Sequence, residues 1–138
     1  MGDSIDGKFV LLATADGGAR WERREVPGAL PGEGAFAASG TNIAVVGKKL
    51  VWIGTTAGRV LRSADGGKTW AIATTGFATS ASAGIFSIAF RDARHGIVVG
   101  GDYKAEGKAV DNVAVTEDSG VTWKLGKGLG GLRSVVSW

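Results

Sequence analysis

One eight-residue pattern occurs three times in the chain: TADGGARW at 14–21, SADGGKTW at 63–70 and TEDSGVTW at 116–123. Each copy reads Ser/Thr, any residue, Asp, Gly/Ser, Gly, two variable residues, Trp. The aspartates Asp16, Asp65 and Asp118 lie 49 and 53 residues apart. The flanks repeat as well, in GAFAAS (34–39), GIFSIA (84–89) and GLRSVV (131–136), which puts Phe36, Phe86 and Arg133 in register. A period of this length means that one supersecondary unit is built repeatedly and stacked, because a single unit cannot bury its apolar face alone.

The middle copy resembles the tail of a phosphate-binding loop, since Lys68 and Thr69 follow two glycines. That loop needs a glycine five positions before Gly67, where Arg62 stands. The sister copies replace Lys68-Thr69 by Ala19-Arg20 and Val121-Thr122, so the pair that would touch phosphate is the variable part. The constant part is structural: Asp16, Asp65 and Asp118 accept backbone N–H groups across the turn, and Gly18, Gly67 and Gly120 supply positive φ. Trp21, Trp70 and Trp123 then fold back over the hairpin and bury apolar area. A second decoy, GDYKAEGKA at 101–109, spaces its glycines one residue too widely and carries Ala109 where a hydroxyl belongs.

Composition agrees with short strands and tight turns. The chain has 24 glycines in 138 residues, against ordinary usage of roughly 7%, yet only two prolines and 44% hydrophobic residues. Sixteen basic and thirteen acidic residues give a net charge of +3 without clustering, which argues against a nucleic-acid surface. The absence of cysteine removes disulfides and thiolate chemistry. No apolar run approaches the roughly 20 residues of a membrane helix, and the opening MGDSIDGK does not read as a signal peptide. Compartment is left open.

A period near 50 is that of a β-propeller blade, a four-stranded antiparallel sheet. The expected fold class is therefore all-β. One unit places strands A to D at 85–90, 96–101, 112–117 and 121–125; the unit before it places them near 35–46 and at 50–55, 59–64 and 69–73. A C–D hairpin at 9–14 and 20–25 precedes them, and an inner strand at 132–138 follows. The expected organisation is a single partial propeller: half blade 1–25, blade 26–73, blade 74–125 and trailing inner strand 126–138. Propellers typically have 4–8 blades, so closure is expected through oligomerisation. Residues 132–138 of one copy would pair beside the 9–25 hairpin of another, with residues 2–6 as a stub of strand B. The result would be a six-bladed homodimer of twofold symmetry.

The motif S/T-x-D-x-G-x-x-W resembles the Asp box of BNR-type β-propellers. FRDARHGIVVGGDY at 90–103 is similar to a segment of photosystem II stability/assembly factor-like (Ycf48-like) repeat proteins. The resemblance covers about residues 9–138 and implies a segment of a longer propeller pattern. It implies fold more than function, since propellers host unrelated activities.

Function is expected on the face of the long D-to-A and B-to-C connections, at 26–35, 74–84 and 101–112. The last holds the densest polar cluster, from which Tyr103, Lys104, Glu106, Lys108 and Asp111 are the candidate ligand or partner contacts, with Arg133 at the start of an inner strand. No catalytic residue, metal or cofactor is expected. His95 is a lone histidine, and the three repeated aspartates sit on separate units, unlike the clustered ligands of a calcium loop. The expected function is a non-catalytic binding or assembly module for another protein or a small ligand. Two alternatives stand beside it: a sialidase-like, glycan-active propeller, and a folded fragment without evolved activity. Against the sialidase-like reading, the single tyrosine, Tyr103, shares a loop with Glu106, and no arginine cluster accompanies Arg133.

Overall fold

A computed structural model describes residues 1, 3–37, 40–108 and 110–138. Gly2 of the expected 2–6 stub, Ala38 and Ser39 of the 34–39 segment, and Ala109 of the 101–112 loop lie outside the described residues.

Among the described residues, twelve strands form four antiparallel sheets. Strands β1 (Ser4–Ile5) and β2 (Lys8–Phe9) make one hairpin, and β3 (Leu11–Ala13) and β4 (Glu22–Arg24) make a second. Strands β5 (Ile43–Val46), β6 (Leu50–Gly54), β7 (Arg59–Ser63) and β8 (Ala71–Thr74) form the first four-stranded sheet. The other comprises β9 (Ala83–Phe90), β10 (Gly96–Asp102), β11 (Val113–Thr116) and β12 (Lys124–Leu125). Within every sheet, hydrogen-bonded neighbours are consecutive in sequence, the meander of a propeller blade. The 1–25 segment thus forms two short hairpins, β1–β2 and β3–β4, rather than one C–D hairpin.

Alternation along the central strands explains the stacking. Trp52 and Val60 project from one face of β5–β8 into a cluster with Ile85, Ile88, Val98 and Ala114 of the next sheet. Ile53 and Leu61 project from the opposite face onto Phe9 and Leu11. Side chains of successive strand residues point to opposite faces, so β6 and β7 each serve two joints at once. The joints are tight. A Cβ at Gly100 would fall on the Gly84 carbonyl, so the inner ends of β9 and β10 approach as only glycine permits. The ladder shifts register between Val99 and Gly100 at that place.

Two expected inner strands differ from the sequence reading. In the first sheet the ladder covers only Ile43–Val46, and the described part of 35–42 is a connection. Residues 132–138 form no ladder. They lie along the second sheet, with Arg133 N–H donating to the Gly100 carbonyl (2.9 Å) and Val136 N–H to Ser87 Oγ (3.1 Å). An inner strand needs a strand B beside it, and no described residue supplies one there. The four sheets stack without closing into a ring.

Candidate functional site

Each repeated turn closes on the same hydrogen bonds. Ser63 Oγ donates to Asp65 Oδ1 (2.9 Å) and accepts from Gly67 N–H (2.8 Å). Asp65 in turn takes the Thr69 N–H (2.9 Å) on Oδ1 and the Thr69 hydroxyl (2.6 Å) on Oδ2. Thr116, Asp118, Gly120 and Thr122 repeat the set, and Thr14, Asp16, Gly18 and Arg20 repeat it without the last hydroxyl. The bonds to the charged form lower all three carboxyls: those from Thr69 for Asp65, those from Thr122 for Asp118, and the Arg20 N–H and Thr14 hydroxyl for Asp16. The Thr69 hydroxyl that resembles a phosphate-loop group is consumed inside the turn. Among the described residues no three His, Asp or Glu side chains gather as metal ligands. His95 belongs to a neighbouring turn, where its Nδ1 lies 2.9 Å from both oxygens of Asp92.

The opposite face is built from the long connections. Segment 75–82 runs between the two four-stranded sheets and is held on both sides. Thr75 Oγ1 donates to the Gly58 carbonyl (2.8 Å), while Tyr103 N–H donates to the Ser82 carbonyl (3.1 Å) and Ala78 N–H to the Asp111 carbonyl (3.4 Å). Clefts open on either side of it. One of about 560 Å³ is lined by Asp3, Gly34, Phe36, Thr56, Ser80 and Ala81 among others. Another of about 170 Å³ is lined by Thr79, Ser80, Asp102, Lys108 and Val110 among others. Ser80 borders both.

Of the residues expected from sequence, Tyr103 and Lys108 come to this surface. Tyr103 is 45% exposed, and its ring meets Phe36 edge-on with centroids 6.1 Å apart. Phe36 stacks on Phe86 at 3.9 Å, so two residues in register along the sequence become one aromatic patch with Tyr103. Lys108 and Lys104 flank Asp102, whose carboxyl is lowered by the Ser82 hydroxyl first, then by the Lys104 N–H, with both lysine charges adding. Glu106 and Asp111 serve through their backbones: Glu106 accepts the Leu132 N–H (2.7 Å), and Asp111 accepts Ala78 as above. Arg133 is exposed, with Nη1 donating to the Leu132 carbonyl (2.9 Å), and lines neither cleft.

Sequence reasoning missed an ion pair beneath this face. Glu33, 2% exposed, accepts bonds from Arg59 Nε (2.8 Å), the Thr55 hydroxyl (2.6 Å) and Leu30 N–H (2.8 Å), and Arg59 Nη2 pairs with its other oxygen. Burial raises the Glu33 carboxyl, but the bonds from Arg59, Thr55 and Leu30 outweigh it and leave it lowered. Arg59 Nη2 also reaches the Gly28 carbonyl (3.0 Å), which ties connection 26–35 to the start of β7. The only signal was an acid alone in an otherwise uncharged loop.

Sheets of four consecutive antiparallel strands, stacked through their faces, with turns on one side and long connections on the other, define a segment of a β-propeller. Among solved structures the chain is similar to one described as "YCF48 bound to D1 peptide", at 19% sequence identity and a TM-score of 0.57. The match covers 88% of this chain and 35% of that one, so the chain spans about a third of its length. No family model matches the sequence, and no curated protein matches it.

Proposed function

We propose that this chain is a non-catalytic propeller module of the Asp-box, Ycf48-like kind, whose loop face binds an extended segment of another protein. The observation that carries the reading is segment 75–82, fixed on both sides with open clefts along it and the Phe36–Phe86–Tyr103 patch adjoining. An extended peptide needs such a trough, with aromatic area for its side chains and backbone or hydroxyl groups for its amides. The similar structure holds a peptide, which favours a peptide over a small ligand. Lys108, which lines the smaller cleft, favours an acidic one, with Lys104 beside Asp102 adding positive charge.

Selection of a displayed peptide library on the immobilised full chain tests this. Selected peptides are expected to lose at least roughly tenfold in affinity with Tyr103→Ala, a truncation of an aromatic anchor. They are expected to lose binding when 101–112 is replaced by a short glycine-containing turn. Peptides that bind the replaced protein equally well would overturn the assignment of this face.

We propose further that two copies close their open edges as a homodimer. Among the described residues no further sheet lies on the face of the second sheet that points away from the first. Residues 126–138 bury its inner half, with Val99 and Val113 covered, while Val115 on its outer half stays 39% exposed, a surface that invites another chain.

A further inference from the structure

The joint between the two four-stranded sheets shows how one blade holds the next. The turn of the second sheet, 116–123, is gripped from the first: the Ser119 carbonyl accepts both Trp52 Nε1 (2.7 Å) and Arg62 Nε (2.7 Å). Trp52 and Arg62 are cross-strand partners on β6 and β7. Their counterparts on the second sheet, counted from Ser63 and Thr116, are Ile97 and Val115, which are likewise paired. In the first sheet Trp52 faces the second sheet and Ile53 faces back. In the second sheet Val98, the counterpart of Ile53, faces the first, so Ile97 and Val115 look outward. Val115 is 39% exposed and forms the apolar part of a cleft of about 270 Å³ whose charged lining is Arg94, Lys124, Glu117 and Asp118. This cleft lies where a blade seats the turn of its successor.

A second turn of the same kind is, among the described residues, not gripped by a neighbouring sheet. Turn 14–21 is exposed along most of its length, with Trp21 59% exposed. Its backbone matches the gripped turn: Gly17 and Gly18 have φ of 71° and 97°, against 66° and 79° for Ser119 and Gly120. The Gly17 carbonyl is therefore presented as the Ser119 carbonyl is. We infer that the Arg94–Val115–Lys124 cleft is the seat for turn 14–21 of a second copy, which rests on the homodimer proposed above. Arg94 and Lys124 on the rim stand in for Trp52 and Arg62 toward the Gly17 carbonyl, Val115 packs on Gly17 and Gly18, and Arg20 meets the acidic side chains of the same rim, Glu117 and Asp118. Repeated twice about a twofold axis, this contact closes the six-bladed ring.

The absence of cysteine makes a cross-link test clean. Gly17→Cys and Val115→Cys are made singly; Ser119 shows that a side chain is accommodated at the φ of Gly17. The two positions lie on opposite outer sides of the stack, so a bond between them joins two copies. Mild oxidation of the mixed variants is expected to give a disulfide dimer enriched at least roughly tenfold over either variant alone. In sedimentation of the otherwise native chain, Val115→Glu is expected to raise the dimer dissociation constant by roughly tenfold or more while circular dichroism is unchanged. A native dimer that neither cross-links through these positions nor responds to Val115→Glu would overturn the seat and leave the dimer standing. A native chain that sediments as a monomer at every concentration would overturn both.

Discussion

Asp118 condenses the chemistry of the repeated turn into one side chain. Its folded carboxyl is lowered from the ordinary 3.8 to about 2 by the Thr122 hydroxyl and N–H, with Thr116 and Val121 adding. The folded chain thus binds this proton more weakly than the unfolded chain does. The stabilisation is complete above about pH 4 and fades as pH falls toward 2. Asp65 and Asp16 act in the same direction. Asp118→Asn is therefore expected to lower stability at pH 7 and to flatten its acid dependence, read as urea midpoints between pH 2 and 5. Equal slopes for the variant and the native chain would show that this carboxylate does not drive the transition. Such turns were legible in the sequence because donor, acceptor and permissive glycine all lie within eight residues. Glu33 and Arg59 were not, since 26 residues separate them and neither belongs to a local pattern.

At the level of the elements, that ion pair fixes where connection 26–35 sits relative to β7 and hence one wall of the larger cleft. Glu33 and Arg59 have side-chain exposures of 0% and 12%. Removing one charge strands the other in a desolvated site, whereas removing both does not. Glu33→Gln or Arg59→Met alone is expected to cost about 3–5 kcal/mol, and the pair Glu33→Leu with Arg59→Met distinctly less. A double-mutant cycle from chemical denaturation measures the coupling, and additive costs would refute it. The strand positions of the second sheet were readable from alternation, with ends moved by a few residues. The inner strands were harder: 132–138 has the composition of a strand, but a ladder also requires a neighbour, and composition says nothing about neighbours.

In the whole molecule, cohesion comes from joints between sheets, and Trp52 is the largest group in them. It is fully buried, stacks on Phe90 with centroids 3.6 Å apart and donates across 67 residues of sequence to Ser119. Trp52→Ala is expected to cost about 3–5 kcal/mol as a cavity in the joint, and Trp52→Phe about 1–3 kcal/mol, from the smaller ring and the loss of one of the two bonds to the Ser119 carbonyl, which keeps Arg62 Nε. Equal costs for the two would mean that the ring does not hold the sheets together. The pairing of strands only with their neighbours in sequence has a further consequence, which concerns time rather than stability. Every ladder closes a short loop, so each sheet can form early and by itself, and the slow step is the docking of one finished sheet on another. Opening then runs in reverse, sheet by sheet. Amide exchange is expected to be slowest in β6 and β7, which are clamped from both faces, and faster in the two-residue ladders of β1, β2 and β12.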